Sequence, residues 1–258
     1  MKTLRIPSSP TTQFGYAVIL TLLINLLISP VTFANPEQHN KQLIMATSEG
    51  PPYMIRKPVS GLDIDTVKAA LEQQGYQVDV QFYSLHRAMA ELVAKRVDLV
   101  VPSFVTEQPG LFNGDPHILY RPTVFSLKSK NIQLNSIADM GNYRIASFQG
   151  VIGYFGAELE AATQRAPAFY QHRSMEHLID MLMNDRADLV LLDYWIFDYF
   201  YRQSLYTIPY DANDQLFPRV PAVPVFRDLD IRDAYNRGLQ QIHDNGAYRQ
   251  IMDKFGHD

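Results

Sequence analysis

The residues of this chain that could do chemistry gather where apolar runs end. Glu49 and Tyr53 follow residues 43–46, and Ser84 and Arg87 follow 78–82. Ser103, Phe104 and Thr106 follow 99–101, Gln149 and Gly150 follow 143–148, and Asp193 and Tyr194 follow 189–192. In an open α/β sheet a ligand sits beyond the carboxyl ends of the strands, so these positions are candidates for binding. A tyrosine face stacks on a flat or cationic group, and a glutamate accepts from an amine. Tyr53 thus fits either ligand contact or hinge-side packing. Arg87 falls in the first turn of a predicted helix, where a cation opposes the dipole. Bidentate capture of an anionic ligand group would account for it, and so would a surface pair with Glu91 four residues on. The Gln149-Gly150 turn opens a helix. Its free N–H groups could hold an anion or simply make an ordinary strand-to-helix turn. Asp193 ends the last apolar run, where it could cap the helix that follows.

Bond-breaking signatures are missing from the sequence. It has no Gly-x-Ser-x-Gly elbow, no phosphate loop and no His-Glu-x-x-His motif. The absence of cysteine excludes a disulfide scaffold, a thiol nucleophile, a Cys-ligated metal and a lipid-attached cysteine. His39, His86, His117, His172, His177, His243 and His257 are scattered. His172 and His177 are five apart, which is wrong for two ligands on one helical face. Nothing calls for a cofactor. Net charge is −4 with no long basic run, so nucleic acid is not an expected partner. The one catalytic arrangement worth carrying forward sets Glu49 and Asp193 across a cleft as acid and base.

The elements that must position these residues come from the hydrophobic pattern. Arg96-Val97-Asp98-Leu99-Val100 recurs ninety residues later as Arg186-Ala187-Asp188-Leu189-Val190. Each copy follows a helical pattern (Ala88, Met89, Leu92, Val93; Leu178, Ile179, Met181, Leu182) and enters a short apolar run suited to a strand covered on both faces. Two such copies indicate two similar lobes. Further strands are predicted at 43–46, 78–82 and 143–148, with a short one beginning at Phe169. Helices are predicted after Asp63 as cap, after Ser84 as cap, from Gly150 to Arg165, from Trp195 to Tyr201, and over the C-terminal segment with a break at Asn245-Gly246. The fold class is α/β, with mostly parallel sheets flanked by helices. Most of the eight aromatics in 194–210 are expected to pack.

The first residues differ in kind. Lys2 and Arg5 precede an apolar run over 16–28, then Pro30 and Thr32-Phe33-Ala34. This is the layout of a secretory signal cut after Ala34; the alternative is an uncleaved anchor, although the run falls short of the about 20 apolar residues that span a bilayer. The remaining 258 − 34 = 224 residues would carry 21 − 27 = −6 and be soluble in the periplasm.

Four segments resemble the bacterial extracellular solute-binding proteins of the amino-acid-binding type, family 3. They are Pro51-Pro52-Tyr53, Gly61-Leu62-Asp63-Ile64-Asp65, the stretch from Val97-Asp98 to Asp115-Pro116, and residues 236–255 with Gly-x-Tyr-x-x-Ile-x-x-Lys. The resemblance implies a two-lobed, type II periplasmic-binding-protein fold with two crossovers. Residues 40–126 and 224–258 would form the first lobe and 127–223 the second. It also implies that Asp193 pairs with a ligand amine. The family places an arginine three residues after the threonine matched by Thr106, to clamp a ligand carboxylate; here that position is Pro109. Either Arg87 or Arg121 substitutes, or the ligand is not an α-amino acid. The function implied is capture of a small polar solute by a monomer for an ABC permease. The alternatives are a ligand sensor for a membrane receptor and a lyase on the same scaffold.

Overall fold

The structure is a computed structural model and describes residues 41–103 and 109–256. The predicted signal segment, Phe104 and Thr106 lie outside the described residues.

The first sheet begins with β1 (Lys41–Thr47), α1 (Leu62–Glu72), β2 (Tyr76–Phe82), α2 (Leu85–Val93) and β3 (Leu99–Ser103). β1 pairs in parallel with β2 and β3, as the helical connections require. Two short strands follow, β4 (Phe112–Asn113) and β5 (Ile118–Tyr120). The chain then passes through Arg121 into β6 (Pro122–Leu127), which belongs to a second sheet. That sheet continues with β7 (Ile145–Phe148), α3 (Val151–Arg165), β8 (Phe169–His172), α4 (Glu176–Met183), β9 (Leu189–Asp193), α5 (Tyr194–Gln203) and β10 (Tyr210–Asn213). Residues 214–219 lead back to β11 (Val220–Phe226) in the first sheet, followed by α6 (Leu229–Asp244) and α7 (Ala247–Lys254).

The strand orders are β2-β1-β3-β11-β4, with β5 on β11, and β10-β6-β9-β7-β8. Each lobe is thus a helix-flanked mixed sheet. The strands joined by helices run parallel, while β6, β10 and β11, which carry the chain between lobes, run antiparallel to their neighbours. The expected lobe limits at 126/127 and 223/224 fall inside β6 and β11. The chain changes sheets at the start of those strands, where no composition shift marks the passage.

The repeated Arg-x-Asp has one structural cause in both lobes. Lys95 and Asp185 end α2 and α4 with φ of 61° and 54°. Three residues later each aspartate accepts from the backbone N–H of the residue just before the neighbouring strand pairs with its own, Ile44 N–H to Asp98 at 2.8 Å and Arg144 N–H to Asp188 at 2.9 Å. The strand that follows enters the sheet centre, with Met45 opposite Leu99 and Ile145 opposite Leu189. One apolar cluster is continuous from Leu43 and Tyr53 in the first lobe to Phe125 and Phe197 in the second.

Candidate functional site

Asp193 stands at the meeting of the two lobes. The apolar run of β9 carries it into the interior, and α5 starts immediately after it. Its Oδ1 accepts from the backbone N–H groups of Trp195 (2.9 Å) and Ile196 (3.2 Å), the pattern of a helix N-cap. The same oxygen accepts from the Tyr53 hydroxyl at 3.0 Å, a bond that spans the lobes. Oδ2 accepts from Arg121 N–H at 2.6 Å, in the first crossover. Burial pushes the carboxyl up to about 6, although its donors pull the other way. The capping alternative is therefore realised. Oδ2, with a single donor, keeps acceptor capacity for a ligand.

Tyr53 is fully buried, so its ring takes the packing role, with its hydroxyl aimed at the junction. It stacks on Tyr120 with ring centres 4.1 Å apart. Gly61 lets the chain pass close against the Tyr53 backbone: its φ is 134°, and a Cβ there would stand 2.2 Å from the Tyr53 carbonyl oxygen. Asp63 is not the helix cap expected from its motif. α1 starts at Leu62 with Gly61 in the cap position, and the Asp63 side chain turns inward. It accepts from the Tyr120 hydroxyl at 2.6 Å and faces His117 Nε2 at 3.0 Å. Burial first, then the nearby carboxylates, raises both tyrosine hydroxyls well above their ordinary range, so both remain donors. The second aspartate of the motif, Asp65, binds Ser60 and Lys254 and ties the loop after β1 to α7.

Arg121 reaches across to the second crossover. It donates to Asp214 at 2.8 Å, and its guanidinium lies 4.5 Å above the Tyr194 ring. Arg219 donates to the same Asp214 oxygen at 3.1 Å. Asp214 thus clasps both crossovers. Burial raises its carboxyl, but hydrogen bonds from Gln215 and Arg121 and the two cations outweigh that and hold it below the usual range.

The remaining candidates lie at strand tips with partners of their own. Ser84 caps α2, and Arg87 donates to Glu91 at 3.3 Å, realising the i+4 pair. Glu91 also binds Arg96. Glu49 accepts from Arg56 at 3.0 Å at the surface, so Glu49 and Asp193 have separate partners. Ser103 is buried at the end of β3, and Pro109 is exposed in a turn. Gln149 accepts from Arg173, and the Gly150 N–H donates to the Gln171 side chain at 2.9 Å. His172 and His177 come together from β8 and α4, with ring centres 4.9 Å apart. No group of three metal-ligating side chains exists among the described residues. The structure therefore unites Tyr53, Arg121, Asp193 and Tyr194 at the junction. It adds Asp63, His117, Tyr120, Asp214 and Arg219, which sequence reading did not select. Asp63 carried a motif signal; Asp214 and Arg219 lie in a polar loop without periodicity.

Two similar sheet-and-helix lobes joined by paired crossovers define the periplasmic-binding-protein-like class. Solved structures share this architecture. The substrate-binding protein of an ABC uptake transporter from Streptococcus pneumoniae, with bound histidine, gives a TM-score of 0.70 at 19% identity, covering 86% of this chain and 94% of that one. A histidine kinase sensor domain with similarity to periplasmic binding proteins gives 0.70 at 15%, covering 84% and 96%. In sequence the chain is 20% identical over 251 residues to the arginine-binding extracellular protein ArtP of Bacillus subtilis, covering 90% of this chain and 96% of that protein. No protein-family model matches the chain. The resemblance to amino-acid-binding solute-binding proteins is borne out by these likenesses.

Proposed function

We propose that this chain is a periplasmic solute-binding protein that captures an amino acid or related small polar compound between its lobes for an ABC importer. The observation that carries this reading is the junction itself. There a tyrosine of the first lobe meets an aspartate of the second at the strand tips, beside two crossovers about which the lobes can rock. The positive start and apolar run of residues 1–34 support export with cleavage after Ala34. Asp193 remains the candidate for a ligand amine through Oδ2, and Tyr194 and Ser103 are candidates to line the same space. A lyase would need Glu49 and Asp193 as a facing pair, which their separate partners do not favour.

A thermal-shift screen of amino acids, polyamines, small carboxylates and cyclic compounds tests the proposal. A ligand at about 100 times its Kd stabilises the folded state by about 2.7 kcal/mol. The absence of any stabilising compound across the panel would overturn it. The likeness to a kinase sensor domain supports a second reading, presentation of the closed form to a membrane receptor. Copurification with a permease favours import, and copurification with a receptor kinase favours sensing.

A further inference from the structure

His172 and His177 hold a chemistry that solute capture leaves unused. Their spacing of five is wrong for one helical face, but the fold sets them on two different elements. His172 ends the edge strand β8, in register with Phe148 of β7. Its carbonyl oxygen accepts from the Gln149 N–H at 3.0 Å, which anchors its backbone. His177 lies in the first turn of α4, where its N–H donates to Ser174 Oγ at 3.4 Å. The short loop between them brings the rings together, with centres 4.9 Å apart and planes tilted by 46°. Water reaches both, and the His177 side chain is 47% exposed.

That separation suits one shared metal ion. A neutral imidazole nitrogen binds such an ion at about 2.0–2.1 Å. An ion at that distance from each ring stands about 3.2 Å from each ring centre, so centres 4.9 Å apart subtend about 100° at the ion. The angle lies between the square-planar arrangement of Cu²⁺ and the tetrahedral one of Zn²⁺. Asp180 stands behind His177, one helical turn on. Its Oδ1 accepts from the Tyr206 hydroxyl at 3.0 Å, which holds the carboxylate in place, and its Oδ2 is 3.9 Å from His177 Nδ1. A small ring rotation closes that gap. A carboxylate there keeps the proton on Nδ1 and leaves Nε2 as the metal donor. Glu176 and Asp180 offset the nearby charge of Arg173, whose Nε donates to the Gln149 side chain at 3.1 Å.

We propose that His172 and His177 form a two-imidazole site for a divalent d-block cation, Cu²⁺ or Zn²⁺, with Asp180 as the residue that positions His177. Water completes the coordination. The ion pins the edge strand β8 to α4 within the second lobe, and the site is independent of the solute-binding reading.

Calorimetry of the untagged protein with CuCl₂, ZnCl₂ and MgCl₂ tests it, on the wild type and on His172→Gln, His177→Gln and Asp180→Asn. The wild type should bind one Cu²⁺ or Zn²⁺ with a Kd below about 1 mM, copper the tighter of the two, and should not bind Mg²⁺. Each histidine substitution should weaken binding by more than about tenfold, and Asp180→Asn by about tenfold. All three side chains are partly or fully exposed, so the variants should fold. Electron paramagnetic resonance of the Cu²⁺ form should show coupling to two imidazole nitrogens, falling to one in either histidine variant. No binding to the wild type makes the ring pair an ordinary contact and overturns the proposal. Binding that survives both histidine substitutions, or a spectrum with one nitrogen in the wild type, places the ion on other side chains and overturns it equally. Affinity unchanged in Asp180→Asn overturns the positioning role of Asp180.

Discussion

Replacing Asp193 by alanine should destabilise the protein by an amount that depends on pH in a particular direction. The substitution removes an N-cap, worth about 1 kcal/mol. It also takes the Asp193 acceptor away from the buried Tyr53 hydroxyl and the part-buried Arg121 N–H, at about 2 kcal/mol each. Against this stands the desolvation of the carboxylate, which lifts its pKa from 3.8 to about 6. That rise means ionised Asp193 opposes folding by about 3 kcal/mol. Because the folded pKa lies above the unfolded one, this group's contribution is most favourable below 3.8 and is lost as pH rises through about 6. Alanine has nothing to titrate. The net loss should be about 2 kcal/mol near pH 7.5, widening to about 3 kcal/mol near pH 5, as the wild type recovers about 1.4 kcal/mol per unit below its native pKa. Urea denaturation of both proteins at the two pH values measures it. A gap that stays constant, or narrows on acidification, would refute the burial and bonding assigned to Asp193.

Gly238→Ala should destabilise the first lobe by about 3 kcal/mol or more, because a Cβ there would lie 1.8 Å from the Ala70 carbonyl oxygen and force α6 away from α1. A denaturant midpoint equal to wild type would contradict that packing. In a double-mutant cycle, Arg121→Ala and Asp214→Ala should show a coupling of about 1 kcal/mol, as befits a partly exposed pair. Additive effects would mean that the crossovers are not clasped through these residues.

The fold was legible in the sequence wherever a local rule repeats. The echo at Arg96 and Arg186 marks a helix end, a left-handed residue and an aspartate that holds the backbone of a neighbouring strand just before the two strands pair, all within a few residues. The break at Asn245-Gly246 and the Arg87–Glu91 pair are likewise local, at helical spacing or one turn. The site was less legible because its contacts are long-range. Tyr53 and Asp193 are 140 residues apart, and Arg121 and Asp214 are 93 apart. No spacing rule reports which buried carboxylate a distant hydroxyl will find. Asp63 illustrates the point. Its place before an apolar helix reads as a cap, but Gly61 already allows the sharp entry, and burial beside Tyr120 and His117 claims the side chain for the interior.

Small-angle X-ray scattering, with and without the compound that gives the largest thermal shift, tests whether these lobes grip a solute. Closure about the crossovers predicts a smaller radius of gyration at saturation. A bound compound that leaves the scattering profile unchanged would contradict a hinged capture mechanism.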